Sequence, residues 1–156
     1  MAHIISAIDF SLISKCVIAQ SEVLAGAMQS KLTLLHVAAP NPEFVGYEVG
    51  PKGVRDSRAR ELRKEHQQLW DLAEDLQQRG IDARPTLIEG ATVETILRLA
   101  DELQATFIVI GSHGHGALYS TLVGSVSSGV IAGATCPVVV VPHLSVHTVQ
   151  ASEVSA

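Results

Sequence analysis

The chain has 156 residues, 47% of them hydrophobic and 17% charged, with a formal net charge of -5. That length and composition fit one folded domain with a substantial core and exclude a wholly disordered chain. The acidic balance argues against general nucleic-acid binding, and the apolar runs are too short for a membrane-crossing helix, so no membrane insertion is expected. The N-terminus lacks a basic region leading into an apolar stretch and a small-residue cleavage site, so no secretion signal is expected. Cys16 and Cys136 lie far apart in no metal or redox spacing, and are expected as buried thiols in a reducing compartment.

In chain order, His3 to Ile8 is a short apolar run that ends at Asp9. Ile13, Cys16, Val17, Leu24 and Met28 recur at helical spacing and predict a helix over Leu12–Met28, with Ser11 as its N-cap. Leu32–Val37 is a second strand. Pro40–Gly53 holds three prolines and three glycines and reads as a long loop. Helical spacing resumes over Val54–Arg79, with Leu62, Leu69, Leu72, Ala73 and Leu76 on one side, charges elsewhere, and Gly80 as the stop. On this helix Trp70 reads as a packing residue. Ala83–Ile88 is a weaker strand that contains Pro85. Thr92–Leu103 is a helix with Val93, Ile96, Leu97 and Ala100 inward, and Phe107–Ile110 is a strand. Ser125–Ala134 is a helix of small residues, Val138–Val141 is the last strand, and the polar residues 143–156 read as a flexible C-terminal tail.

Strands and helices thus alternate, and the strands are continuous Val/Ile/Leu runs. This is the pattern of an α/β domain with a five-stranded parallel sheet buried on both faces by helices. Proline is tolerated at a sheet edge, which places the third strand outermost. The most apolar strands, the first and fourth, belong at the centre, so the expected strand order is 3-2-1-4-5. Ligands of such sheets bind at the carboxyl ends of the strands where the order reverses, here between Asp9 and Gly111.

The glycines strengthen that expectation. Gly111-Ser112-His113-Gly114 follows the fourth strand directly, and nine residues later Gly124-Ser125 opens a helix. Glycine lets backbone approach a ligand, and the first N–H groups of a helix have no internal partner, so a strand, glycine loop and helix start together can hold phosphate.

With these residues in place the chain resembles the universal stress proteins. The family's nucleotide motif, Gly-x2-Gly-x9-Gly-(Ser/Thr), matches Gly111, Gly114, Gly124 and Ser125 without a gap. Ala7-Ile8-Asp9-Phe10-Ser11, Leu35-His36-Val37, Gly124-Ser125-Val126-Ser127 and Cys136-Pro137-Val138-Val139-Val140-Val141-Pro142 are similar in the same order, so the resemblance covers residues 2–142 and marks 1–142 as the domain. The resemblance implies a Rossmann-like, adenine nucleotide alpha hydrolase-like fold that binds ATP, ADP or AMP, with Mg as companion ion, and acts in stress response from the cytoplasm through an unidentified protein partner. It also implies residue roles. Asp9 contacts the nucleoside, Ala7 and Ile8 line the pocket, and Val37 contacts the adenine. Ile110, Gly111, His113, Gly114 and His115 pass beside ribose and phosphates, and Gly124, Ser125, Val126 and Ser127 hold the phosphates. A homodimer through the Val138–Val141 edge strand is expected, because an apolar uncharged edge invites pairing.

One departure from the family concerns charge. Many nucleotide-binding members carry Arg or Lys after the second glycine; this chain has His115, and no Lys or Arg follows Arg98. The missing cation is sought in a divalent metal, in Lys15, Lys52 or Arg55, or in protonated His115. No dedicated metal site is expected, since His113 and His115 lack a third ligand at useful spacing. His36 reads as a partly buried structural residue. No constellation for nucleophilic catalysis is present, which leaves at most a weak ATPase. Two alternatives stand beside the nucleotide-binding regulator: a dimeric interaction module that binds no nucleotide, and a slow ATP hydrolase.

Overall fold

A computed structural model describes residues 1–40, 52–113 and 123–142. Along them run β1 (His3–Ala7), α1 (Ser14–Met28), β2 (Lys31–Ala38), α2 (Lys52–Gln78), β3 (Asp82–Glu89), α3 (Thr92–Glu102), β4 (Phe107–Gly111), α4 (Ser125–Gly133) and β5 (Val138–Val141). The strands form one parallel sheet in the order β3-β2-β1-β4-β5, as expected. Pro85 lies on the outer strand β3, opposite Leu34, where a missing N–H is tolerated.

Side chains alternate across a strand, so each strand feeds two cores. Ile4, Leu32, Leu34 and Val109 point to one face and pack with Val17 and Ile18 of α1 and with Leu69, Ala73 and Leu76 of α2. Ile5, Leu35, Ile108 and Ile110 point to the other and pack with Ile96, Leu99 and Ala100 of α3 and Val130 of α4. The small residues of α4 let it lie close on α3: a Cβ on Gly133 would fall 2.5 Å from Leu97 Cδ1, and one on Gly129 2.9 Å from Val93 Cγ2. α2 closes at Gly80, whose φ of 88° allows Ile81 N–H to return to the Leu76 carbonyl at 3.1 Å.

Some local expectations are corrected. α1 begins at Ser14 with Ile13 at its N-cap, and the Ser11 hydroxyl turns instead to Asp9. Leu12 is left exposed. Cys16 and Cys136 are free and only partly buried. Trp70 is 52% exposed, its ring 5.6 Å from that of His66 on the outer face of α2, so it does not pack in the core. Of the expected loop Pro40–Gly53, residues 41–51 lie outside the described residues and Lys52 and Gly53 already belong to α2; the tail over 143–156 also lies outside the described residues. No helix among the described residues is long and apolar enough to cross a membrane.

Candidate functional site

The order reverses between β1 and β4, and a cleft of about 870 Å³ opens there at the carboxyl ends of the strands. Its first wall grows out of β1. Ile8 extends the strand by donating its N–H to Leu35 O at 2.9 Å. Asp9 then halts the chain. Its Oδ1 accepts the Ser11 N–H at 3.0 Å, the Ser14 hydroxyl at 3.1 Å and the Ser11 hydroxyl, while its own N–H reaches Ser14 Oγ at 3.3 Å. Asp9 therefore organises the start of α1 as well as facing the cleft. Phe10 between them has φ 60°, uncommon for a bulky side chain, and its ring centre lies 4.6 Å from that of His36.

The second wall comes from β4 and α4. Gly111 ends β4 where there is no room for a side chain, since a Cβ would meet Ile13 Cγ2 at 2.9 Å. Ser112 N–H is held by Val141 O at 2.8 Å, and Gly124 N–H by Ser112 O at 2.7 Å. The Ser127 hydroxyl donates to Gly111 O at 2.6 Å and locks α4 to the end of β4. Gly124 is the extended N-cap of α4 and supplies no side-chain cap. The N–H groups of Ser125, Val126 and Ser127 thus open α4 without intrahelical acceptors, at a place suited to an anion.

All the predicted site residues that lie among the described ones face this cleft: Ala7, Ile8, Asp9, Val37, Ile110, Gly111, His113, Gly124, Ser125, Val126 and Ser127. Gly114 and His115 lie outside the described residues. His113 places Nδ1 3.1 Å from Ser112 Oγ.

A third wall went unread in the sequence. Arg58, Glu61, Lys64, Glu65 and Gln68 of α2 line the cleft opposite the glycines. Arg58 donates from Nη2 to Ala39 O at 2.7 Å and from Nη1 to Glu61 Oε2 at 3.0 Å. His36, 7% exposed, is held by Ile8 O 2.9 Å from its Nδ1, and its Nε2 faces Glu65 Oε2 at 3.6 Å. That carboxylate oxygen is buried and makes no hydrogen bond. Of the cations sought from the sequence, Lys15 and Arg55 are exposed and do not line the cleft, and the side chain of Lys52 lies outside what the structure describes; two cations that were not sought, Arg58 and Lys64, line it instead. The signal was present as a stripe at 58, 61, 65 and 68 on one face of the helix, but a charged stripe has the same appearance on a helix that faces only water.

Among the described residues no group of three or more His, Cys, Asp or Glu side chains could hold a metal ion.

The model of the universal stress protein family matches residues 1–142. Universal stress protein YxiE of Bacillus subtilis is 31% identical over 140 residues, which cover 86% of this chain and 95% of that protein. Among solved structures, hypothetical protein MJ0577 superposes with a TM-score of 0.75 at 24% identity, covering 91% of this chain and 96% of its own. A universal stress protein family protein of Arabidopsis thaliana superposes with a TM-score of 0.67 at 20% identity, covering 93% and 94%. The chain belongs to the universal stress protein family.

Proposed function

We propose that this protein binds an adenine nucleotide in the cleft between β1 and β4 and works as a stress-response regulator whose partner contacts depend on that nucleotide. The observation that carries the reading is the meeting of Asp9, Val37, Gly111 and the uncapped start of α4 on one cleft. Its volume of about 870 Å³ lies within the range of small-molecule sites. Two structural neighbours support the choice of ligand: the Arabidopsis protein was solved with AMP bound, and another universal stress protein in complex with cAMP. The base would lie toward Val37 and Asp9, and one phosphate on the N–H groups of Ser125–Ser127. ATP would enter with Mg bound to its phosphates. The cleft is read as a sensor: the Asp9 Oδ1 atom already accepts from Ser11 and Ser14, which suits a positioning role better than that of a base.

The reading extends to a cytoplasmic homodimer. Free Cys16 and Cys136 suit a reducing compartment. β5 is an outer strand of four valines. The carbonyls of Pro137 and Val141 turn inward to β4, so the backbone groups of Val138 and Val140 face outward and are available to a second copy. Val140→Pro removes one outward N–H and spares the β4 ladder; it should yield monomer by light scattering.

The test of the nucleotide site is to purify the protein without added nucleotide, denature it, and identify released small molecules by mass spectrometry, with titration of AMP and of ATP with Mg at pH 6 and pH 8. Released or saturably bound adenine nucleotide supports the reading. An empty protein that binds neither at either pH overturns it in favour of an interaction module.

A further inference from the structure

Three carboxylates, Asp9, Glu61 and Glu65, line the cleft against two cations, Arg58 and Lys64. Arg58 is already engaged by Glu61, which leaves Lys64 as the lining cation outside any ion pair among the described residues. The rest of the sequence around the motif adds no positive side chain of the Lys or Arg type: residues 41–51 carry Glu43 and Glu48 and no Lys or Arg, and residues 114–122 carry no Lys or Arg either. On the phosphate side the fixed positive element is the start of α4, equivalent to roughly half a charge. The cleft volume corresponds to about 10 Å on a side, comparable to the Debye length of about 10 Å at 0.1 M salt, so every wall charge acts on a bound phosphate.

Resting on the adenine-nucleotide reading, we infer that this cleft selects nucleotides of low phosphate charge, AMP or a cyclic monophosphate, over metal-free ADP and ATP. One phosphate matches one helix start with its three open N–H groups. A second and third phosphate would add negative charge to a cleft whose three lining carboxylates already outnumber its two lining cations, one of them engaged by Glu61. A monophosphate carries about two negative charges and a triphosphate roughly four, and the excess must be neutralised by an ion that comes with the ligand. Triphosphate binding then depends on Mg, whereas monophosphate binding does not.

Isothermal titration at pH 8, where histidine is ordinarily neutral, tests this with AMP and with ATP, each in EDTA and in excess Mg. The expected result is AMP at least about tenfold tighter than metal-free ATP, a gap of about 1.4 kcal/mol. Mg should close most of that gap while leaving AMP unchanged. Glu61→Gln, at an exposed carboxylate, should narrow the metal-free gap by about threefold, since it removes one repulsive charge. Metal-free ATP binding as tightly as AMP would overturn the inference and leave the nucleotide site standing. So would a gap that neither Glu61→Gln nor Glu65→Gln narrows. Failure of both nucleotides under all conditions would overturn the site itself.

Discussion

The two sides of the cleft are built on opposite principles. The β4–α4 side is small, uncharged backbone: Gly111, Gly124 and the first N–H groups of α4, fixed by Ser127 and Ser112. The α2 side is long charged side chains: Arg58, Glu61, Lys64 and Glu65, joined to the floor through Ala39 O and His36. Backbone donors are set by the fold and move little, whereas charged side chains set the sign and the strength of the field at modest cost in stability. The contrast assigns ligand placement to one side and ligand selection to the other.

The strongest way to break that division is Gly124→Glu. Its carboxylate would set a negative charge against the N–H groups that are assigned to phosphate, and AMP affinity should fall about a hundredfold, close to 2.7 kcal/mol, with the fold retained by circular dichroism. Unchanged affinity would move phosphate away from α4. Asp9→Ala comes next. It removes the acceptor of Ser11 and Ser14 and should cost about 1–2 kcal/mol in urea unfolding, together with about tenfold in AMP affinity. Loss of stability alone would reduce Asp9 to a turn residue. Arg58→Ala should weaken AMP about three- to fivefold in the same titration, less than either change on the glycine side. A larger loss than Gly124→Glu would reverse the proposed roles of the two sides. Trp70→Ala sharpens the comparison from outside it: half-exposed on the far face of α2, Trp70 should change AMP affinity by less than about twofold and stability by less than about 1 kcal/mol.

Legibility in the sequence follows the same division. The sheet order was readable because Pro85 marked an edge and the apolar runs of β1 and β4 marked the centre. The glycine side was readable because Gly111 and Gly124 stand at a fixed spacing at the end of one apolar run and the start of a helix, and at Gly111 a side chain would crowd Ile13. The α2 side was not, because Arg58 and Glu65 occupy positions that a solvent-facing helix fills with the same residue types. Only the tertiary approach of α2 to the end of β2, through Arg58 and Ala39, makes that stripe a wall. Ser11 misled for a different reason: it is a residue type favoured at N-caps, but α1 starts at Ser14 with Ile13 as its N-cap, so Ser11 lies two residues too early and its hydroxyl donates to Asp9.

The most direct test of the account is a ¹H–¹⁵N NMR titration of the isotope-labelled protein with AMP. Binding in the cleft predicts that the largest amide shifts fall on Ser125, Val126 and Ser127, with smaller ones at Asp9, Val37 and Arg58, and that His3 and Asp82 at the opposite end of the sheet stay still. Saturable shifts centred away from the start of α4, or none at all, would contradict it.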